Sequence, residues 1–194
     1  ATVNLQGGSL ALVNSNAQIG GLSGTGDVFS GGGLSPVLTV GGNNANTTFS
    51  GVIHGNNSSG TQGNYEYGSV NLVKVGTGTL TLAGANTYSG STNISAGTLK
   101  AGNTSALGSN STTTVNGTLD LGGFNISLGS LAGTGLVTDS ATTANTLTVG
   151  NLGAATTFSG VIQNGNGTVS LTKVGTGTQT LTGANTYSGD TTIS

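Results

Sequence analysis

The stretch KVGTGTLTLAGANTYSG, residues 74–90, returns as KVGTGTQTLTGANTYSG at 173–189 with fifteen of its seventeen letters unchanged. Apart from one lysine and one tyrosine it holds almost nothing that donates charge, ligates a metal or attacks a substrate. What it does hold is pattern. TLTL at 79–82 alternates, which puts Leu80 and Leu82 on one face of a strand and Thr79 and Thr81 on the other. Glycines on either side supply bends that residues with a Cβ resist. Such faithful repetition of so little reactivity preserves shape.

The repetition extends beyond this stretch. Residues 72–95 match 171–194 at an offset of 99, while FSGVI at 49–53 and 158–162 and LSGTG/LAGTG at 22–26 and 131–135 are offset by 109. The ten-residue difference is an insertion in the first copy, within HGNNSSGTQGNYEYGSVN at 54–71. The 194 residues thus read as one continuous array, with almost two copies of a ~100-residue unit at 1–112 and 113–194. A finer period runs inside: Gly-Thr-Leu recurs at 78–80, 97–99 and 117–119. One strand–turn–strand circuit every ~20 residues is the signature of a solenoid coil, which buries its apolar side only by stacking on its neighbours.

Composition agrees. Charged residues are 4% of the chain, with no arginine and only Lys74, Lys100 and Lys173; a soluble domain averages about 25%. Glycine costs roughly 1 kcal/mol against alanine inside a helix, and Thr and Val are also poor helix formers. With 38 glycines and a net charge of only −2, the sequence favours strands joined by glycine turns and lacks the high charge of disordered chains. The expected fold is all-β: a right-handed parallel β-solenoid, the hand following the general preference of parallel crossovers. Nine or ten coils at about 4.8 Å each give a rod on the order of 45 Å long. Gln179 stands where the first copy has Leu80. Its amide either finds partners or marks a one-residue slip in register.

Residues 74–99, KVGTGTLTLAGANTYSGSTNISAGTL, resemble the autotransporter-associated β-strand repeat. The likeness lies in the lysine-to-leucine run, the AN-T-Y-S-G turn and the following AGTL, and 173–194 repeat most of it. The resemblance implies a passenger-type β-solenoid of a secreted or surface-anchored bacterial protein, hence an extracellular place. On it rests the expected function: a non-enzymatic stalk or filament segment whose copies stack head to tail. The alternative is an adhesin module that binds a glycan or surface protein through the 54–71 loop.

Chemistry is sparse. The acids Asp27, Glu66, Asp120, Asp139 and Asp190 are scattered singly, with no DxD pattern and no arginine to clamp a substrate. No catalytic residue, metal ligand or cofactor is expected. Three scattered lysines suit neither nucleic acid nor an anionic membrane surface, and no apolar run approaches the ~20 residues of a membrane helix. There is no cysteine. Unusual residues gather only in the insertion, so His54, Tyr65, Glu66 and Tyr67 are the candidate ligand-binding set. Tyr88 and Tyr187 belong to the repeat and are expected to pack at a corner. Lys74 and Lys173 are expected to act as charges that discourage lateral pairing of rods.

Overall fold

The structure, a computed structural model, describes residues 1–55, 68–108 and 110–194. Every pairing among the described strands is parallel, and no helix occurs among these residues. The chain winds into a β-solenoid of about nine turns, about 21 residues apart. At one strand spacing per turn the rod is roughly 43 Å long.

Each coil visits three faces. The first face is an eight-stranded sheet: Thr2–Leu5, Gly21–Gly24, Thr47–Phe49, Thr79–Leu82, Thr98–Ala101, Thr118–Asp120, Leu136–Thr138 and Val161–Ile162. The third face holds Ala17–Ile19, Val37–Val40, Asn71–Lys74, Thr92–Ile94, Thr112–Val115 and Ser130–Ala132. A Gly133–Phe158 bridge continues it into Thr156–Phe158 and Gln179–Leu181. Between them, the second face starts with Ser9–Leu12, Asp27–Ser30 and Val52–His54. It passes through strandless segments at 83–90 and 102–108, then resumes with Ile126–Leu128, Asn145–Val149, Val169–Lys173 and Thr191–Ile193.

Side chains alternate as the sequence requires. In Thr79–Leu82 the leucines are buried and the threonines half-exposed. Leu80, Leu99, Leu119, Val137 and Ile162 stand one above another in register and form one apolar ladder of the core. A chain with few large side chains closes its interior by matching size to absence. Phe49 lies in register with Gly24, and Phe158 with Gly133, so each ring fills space its neighbour leaves. Gln179 pairs with Thr156 as Leu80 pairs with Thr47. The register has not slipped. The Gln179 amide is satisfied instead, donating to Leu131 O at 3.1 Å and accepting from Thr156 Oγ1 at 3.0 Å.

The two copies do not share a rotational frame. The first-face strands Thr2–Leu5, Gly21–Gly24, Thr47–Phe49 and Thr79–Leu82 have their sequence counterparts on the third face, in Thr112–Val115, Ser130–Ala132, Thr156–Phe158 and Gln179–Leu181. Second-face strands recur on the first face, and third-face strands on the second. From Thr2 the chain makes four full turns to Thr98–Ala101 and then crosses two more faces before the pattern restarts at Thr112–Val115. A unit therefore occupies a whole number of turns plus two faces, and its counterpart is displaced by one face around the rod. Three units restore the starting frame.

Spin labels test this frame. Thr48 and Thr138 lie in one outward column through Thr81, Lys100 and Asp120. Labels there are expected about 19 Å apart, four strand steps. Thr157, the sequence counterpart of Thr48, projects from the third face, so a Thr48–Thr157 pair should read longer, on the order of 25 Å. Equal distances for the two pairs would overturn the one-face step.

Candidate functional site

Three of the faithfully repeated polar residues, Lys74, Asn86 and Tyr88, turn inward. Alternation puts Lys74 on the same side of its strand as Leu72, and both are buried. Its ammonium group donates to Val75 O at 2.7 Å, Gly76 O at 3.0 Å and Ala96 O at 3.3 Å, which ties a corner of one coil to the next. Burial pushes its pKa below the ordinary lysine value. The expectation of a surface charge against lateral pairing is therefore wrong for Lys74. Half-buried Lys173 likewise donates to Val174 O and Gly175 O. Carbonyl groups left over at a glycine bend need a donor that reaches several of them, and an ammonium on a flexible stem meets that need.

Asn86 and Tyr88 are internal as well. Asn86 accepts from Ile53 N at 2.7 Å and donates to Ala106 O at 2.6 Å, so one amide joins three successive coils. Asn185 accepts from Ile162 N in the same way. The Tyr88 ring is fully buried at a corner, as expected, with its hydroxyl 2.9 Å from Thr92 Oγ1. Burial holds that hydroxyl above the usual tyrosine range. Tyr187 repeats the contact with Thr191 at 2.8 Å. These residues hold the coils together and leave nothing over for a substrate.

Among the described residues, outward-facing chemistry gathers in two places. On the first face, Lys100 and Asp120 are register partners, with Lys100 Nζ 3.6 Å from Asp120 Oδ2 and 2.7 Å from Ser140 Oγ. They close one end of a shallow groove of about 450 Å³ that runs along the rod past Thr98, Thr81, Thr79 and Thr48 to Asn46. Asp139, fully buried one coil beyond Asp120, accepts from Gly123 N, Ala141 N and Asn145 Nδ2. Asp120 accepts from Gly122 N and Ser140 N. The two acids read as scattered are thus neighbours, and their nineteen-residue separation, one coil, was the available signal. Backbone N–H groups already bond both carboxylates, so the two acids cap turns.

The second place is the outer side of the second face. His54, the last residue of Val52–His54, stacks on Phe29 with ring centroids 5.5 Å apart and planes inclined by 15°. Phe29 is in register with His54 and, on its other side, with Ala11; Asp27 is in register with Val52 and Ser9. His54 is therefore held on the rod wall. Tyr65, Glu66 and Tyr67 lie outside the described residues. Sequence reasoning singled out His54 but missed Phe29 and Asp27. The 25-residue step from Phe29 to His54 departs from the ~20-residue coil, and that departure hides the neighbour.

With the repeated lysine, asparagine and tyrosine committed to corners, fold and site define the chain as a solenoid repeat protein. Residues 72–101 and 171–194 match the passenger-associated-transport-repeat family. Those two segments are similar to repeats of the autotransporter passenger type. The chain is 42% identical over 128 residues, 63% of its length, to the Adhesin BmaC autotransporter of Brucella suis biovar 1 (strain 1330), and it spans 4% of that protein. No solved structure matches it.

Proposed function

We propose that the chain is a stiff, non-catalytic rod segment of a bacterial autotransporter passenger, displayed at the cell surface or secreted, that holds adhesive features away from the cell. The observation behind this reading is the fate of the repeated polar residues. Lys74, Asn86 and Tyr88 all bond inside the coil stack, so the most faithfully repeated segment serves rigidity. A parallel stack with continuous backbone pairing and apolar ladders resists bending and proteolysis. Stacking of separate copies head to tail is the further expectation of this reading. Electron microscopy across a dilution series tests it. Rods near 43 Å that lengthen with concentration, keeping a ~4.8 Å axial spacing, support stacking of copies. Separate rods at every concentration keep the rod segment and sink the stacking. Flexible, irregular particles sink both.

The adhesive half of the proposal draws on the name of the Brucella suis relative and on the half-buried, outward-facing aromatic pair at Phe29 and His54. The contact it makes is a glycan or a surface protein.

A further inference from the structure

We propose that Phe29 and His54, with Asp27 beside them, form a saccharide-binding platform on the wall of the rod. This deepens the adhesive reading above and rests on it. The apolar inward residues of these strands are the same in both copies: Val28 and Val137, and Ile53 and Ile162, are all fully buried, while inward Ser30 has Asp139 as its counterpart. Of the outward residues Val52 recurs as Val161, and the other three differ. Asp27, Phe29 and His54 are replaced at the corresponding positions by Leu136, Thr138 and Gln163. The scaffold has been kept and one surface changed. The same copy carries the insertion at 54–71, which begins at His54.

The geometry suits a sugar ring. Phe29 and His54 stand on adjacent coils as near-parallel plates, about one strand spacing apart. On the far side of Phe29 the register partner is Ala11, a single exposed methyl, so among the described residues the neighbouring strand sets no third ring against that side of the phenyl group. A pyranose presents a face of C–H groups that lies against an aromatic ring while its hydroxyls point outward. Asp27, exposed two residues along the same strand, projects from the same side about 7 Å away. Its carboxylate accepts from hydroxyls, and the Ser9 hydroxyl lies beside it in register. No lysine lies in these three strands, and the Asp27 carboxylate repels an anion. Asp27–Ser30 is paired on both edges, to Ser9–Leu12 and to Val52–His54, so a peptide has no free edge to join on the strand that carries Phe29 and Asp27. A neutral glycan is the partner this surface fits.

The test uses variants the fold already accepts. F29T/H54Q installs on the second face the residues the other copy carries at Thr138 and Gln163, and its thermal stability should match the parent. The probes are methyl glucopyranoside, methyl galactopyranoside and methyl N-acetylglucosaminide, titrated into the millimolar range against isotope-labelled chain. At least one is expected to shift the Phe29 and His54 ring signals, and F29T/H54Q and D27N should each weaken that binding about tenfold. Absence of any shift at these rings overturns the platform. So does binding that is unchanged in F29T/H54Q. The adhesive reading is scored separately, with chain-coated beads on epithelial cells. Adhesion unaffected by F29T/H54Q keeps that reading and removes the platform from it, while beads that never adhere overturn both.

Discussion

Replacing Gly51 with alanine is expected to remove about 3 kcal/mol or more of stability. A Cβ at Gly51 would fall inside the van der Waals radius of the Gly26 carbonyl oxygen one coil below, and it would sit 2.6 Å from Phe49 Cζ. Neither neighbour can yield. The carbonyl is fixed by the stacking distance of the coils, and the ring fills the space over Gly24 in a fully buried position. Gly160 repeats the arrangement against Gly135 O and Phe158 Cζ, so G160A should cost a similar amount. Gly42 is the control: a Cβ there meets nothing within 4 Å, and G42A should stay within about 0.5 kcal/mol of the parent. Urea denaturation followed by circular dichroism reads all three. A Gly51→Ala midpoint equal to that of Gly42→Ala would mean that the coils stand farther apart than they do here.

The glycine corners also show how much of the fold the sequence displays. The ~20-residue recurrence of Gly-Thr-Leu and the alternation in TLTL are local facts. They were enough to place Leu80 and Leu82 inside, to make every strand parallel and to stack the coils. What lies between coils is harder to read, because circuit length varies. Thr79 and Thr98 are register partners nineteen residues apart, but Leu80 and Thr47 are partners across thirty-three. A residue's neighbour on the next coil therefore cannot be found by counting. That is why Phe29 escaped notice beside His54, and why the one-face rotation between copies has no visible mark in the letters.

Lys74 was missed for a different reason. Its parity with Leu72 pointed inward, and the general expectation that lysines face water overrode the period. The alternation was the better guide, because a stack of glycine bends creates carbonyl groups that no backbone N–H serves. Size complementarity adds to this. Gly41 and Gly97 lie beside the lysine head, where an added Cβ would come within 3.2 Å and 2.8 Å of Nζ. The lysine and its glycines are parts of one corner, so they recur together, with Gly150 beside Lys173.

Lys74→Met is accordingly expected to destabilise the chain by about 2 kcal/mol, a sign that depends on two opposing terms. Burying an ammonium group without a carboxylate costs several kcal/mol in desolvation, and methionine removes that cost while roughly keeping the volume. Against it stand hydrogen bonds from a charged donor, worth about 1.5–3 kcal/mol each, and carbonyls that are left without a donor once it is gone. Three carbonyls at 2.7–3.3 Å are involved, and no backbone N–H among the described residues reaches Val75 O, Gly76 O or Ala96 O, so the second term wins. Lys173 supplies the internal comparison. It makes two such bonds from a half-exposed position, where water can replace the lost donor, and K173M should cost about 1 kcal/mol or less. The order of the two variants in urea midpoint decides the matter. Lys74→Met below Lys173→Met identifies the lysine as the brace that closes each repeat. A Lys74→Met chain more stable than the parent would show that desolvation outweighs the bonds, and the lysine would need a reason outside the stability of the coil.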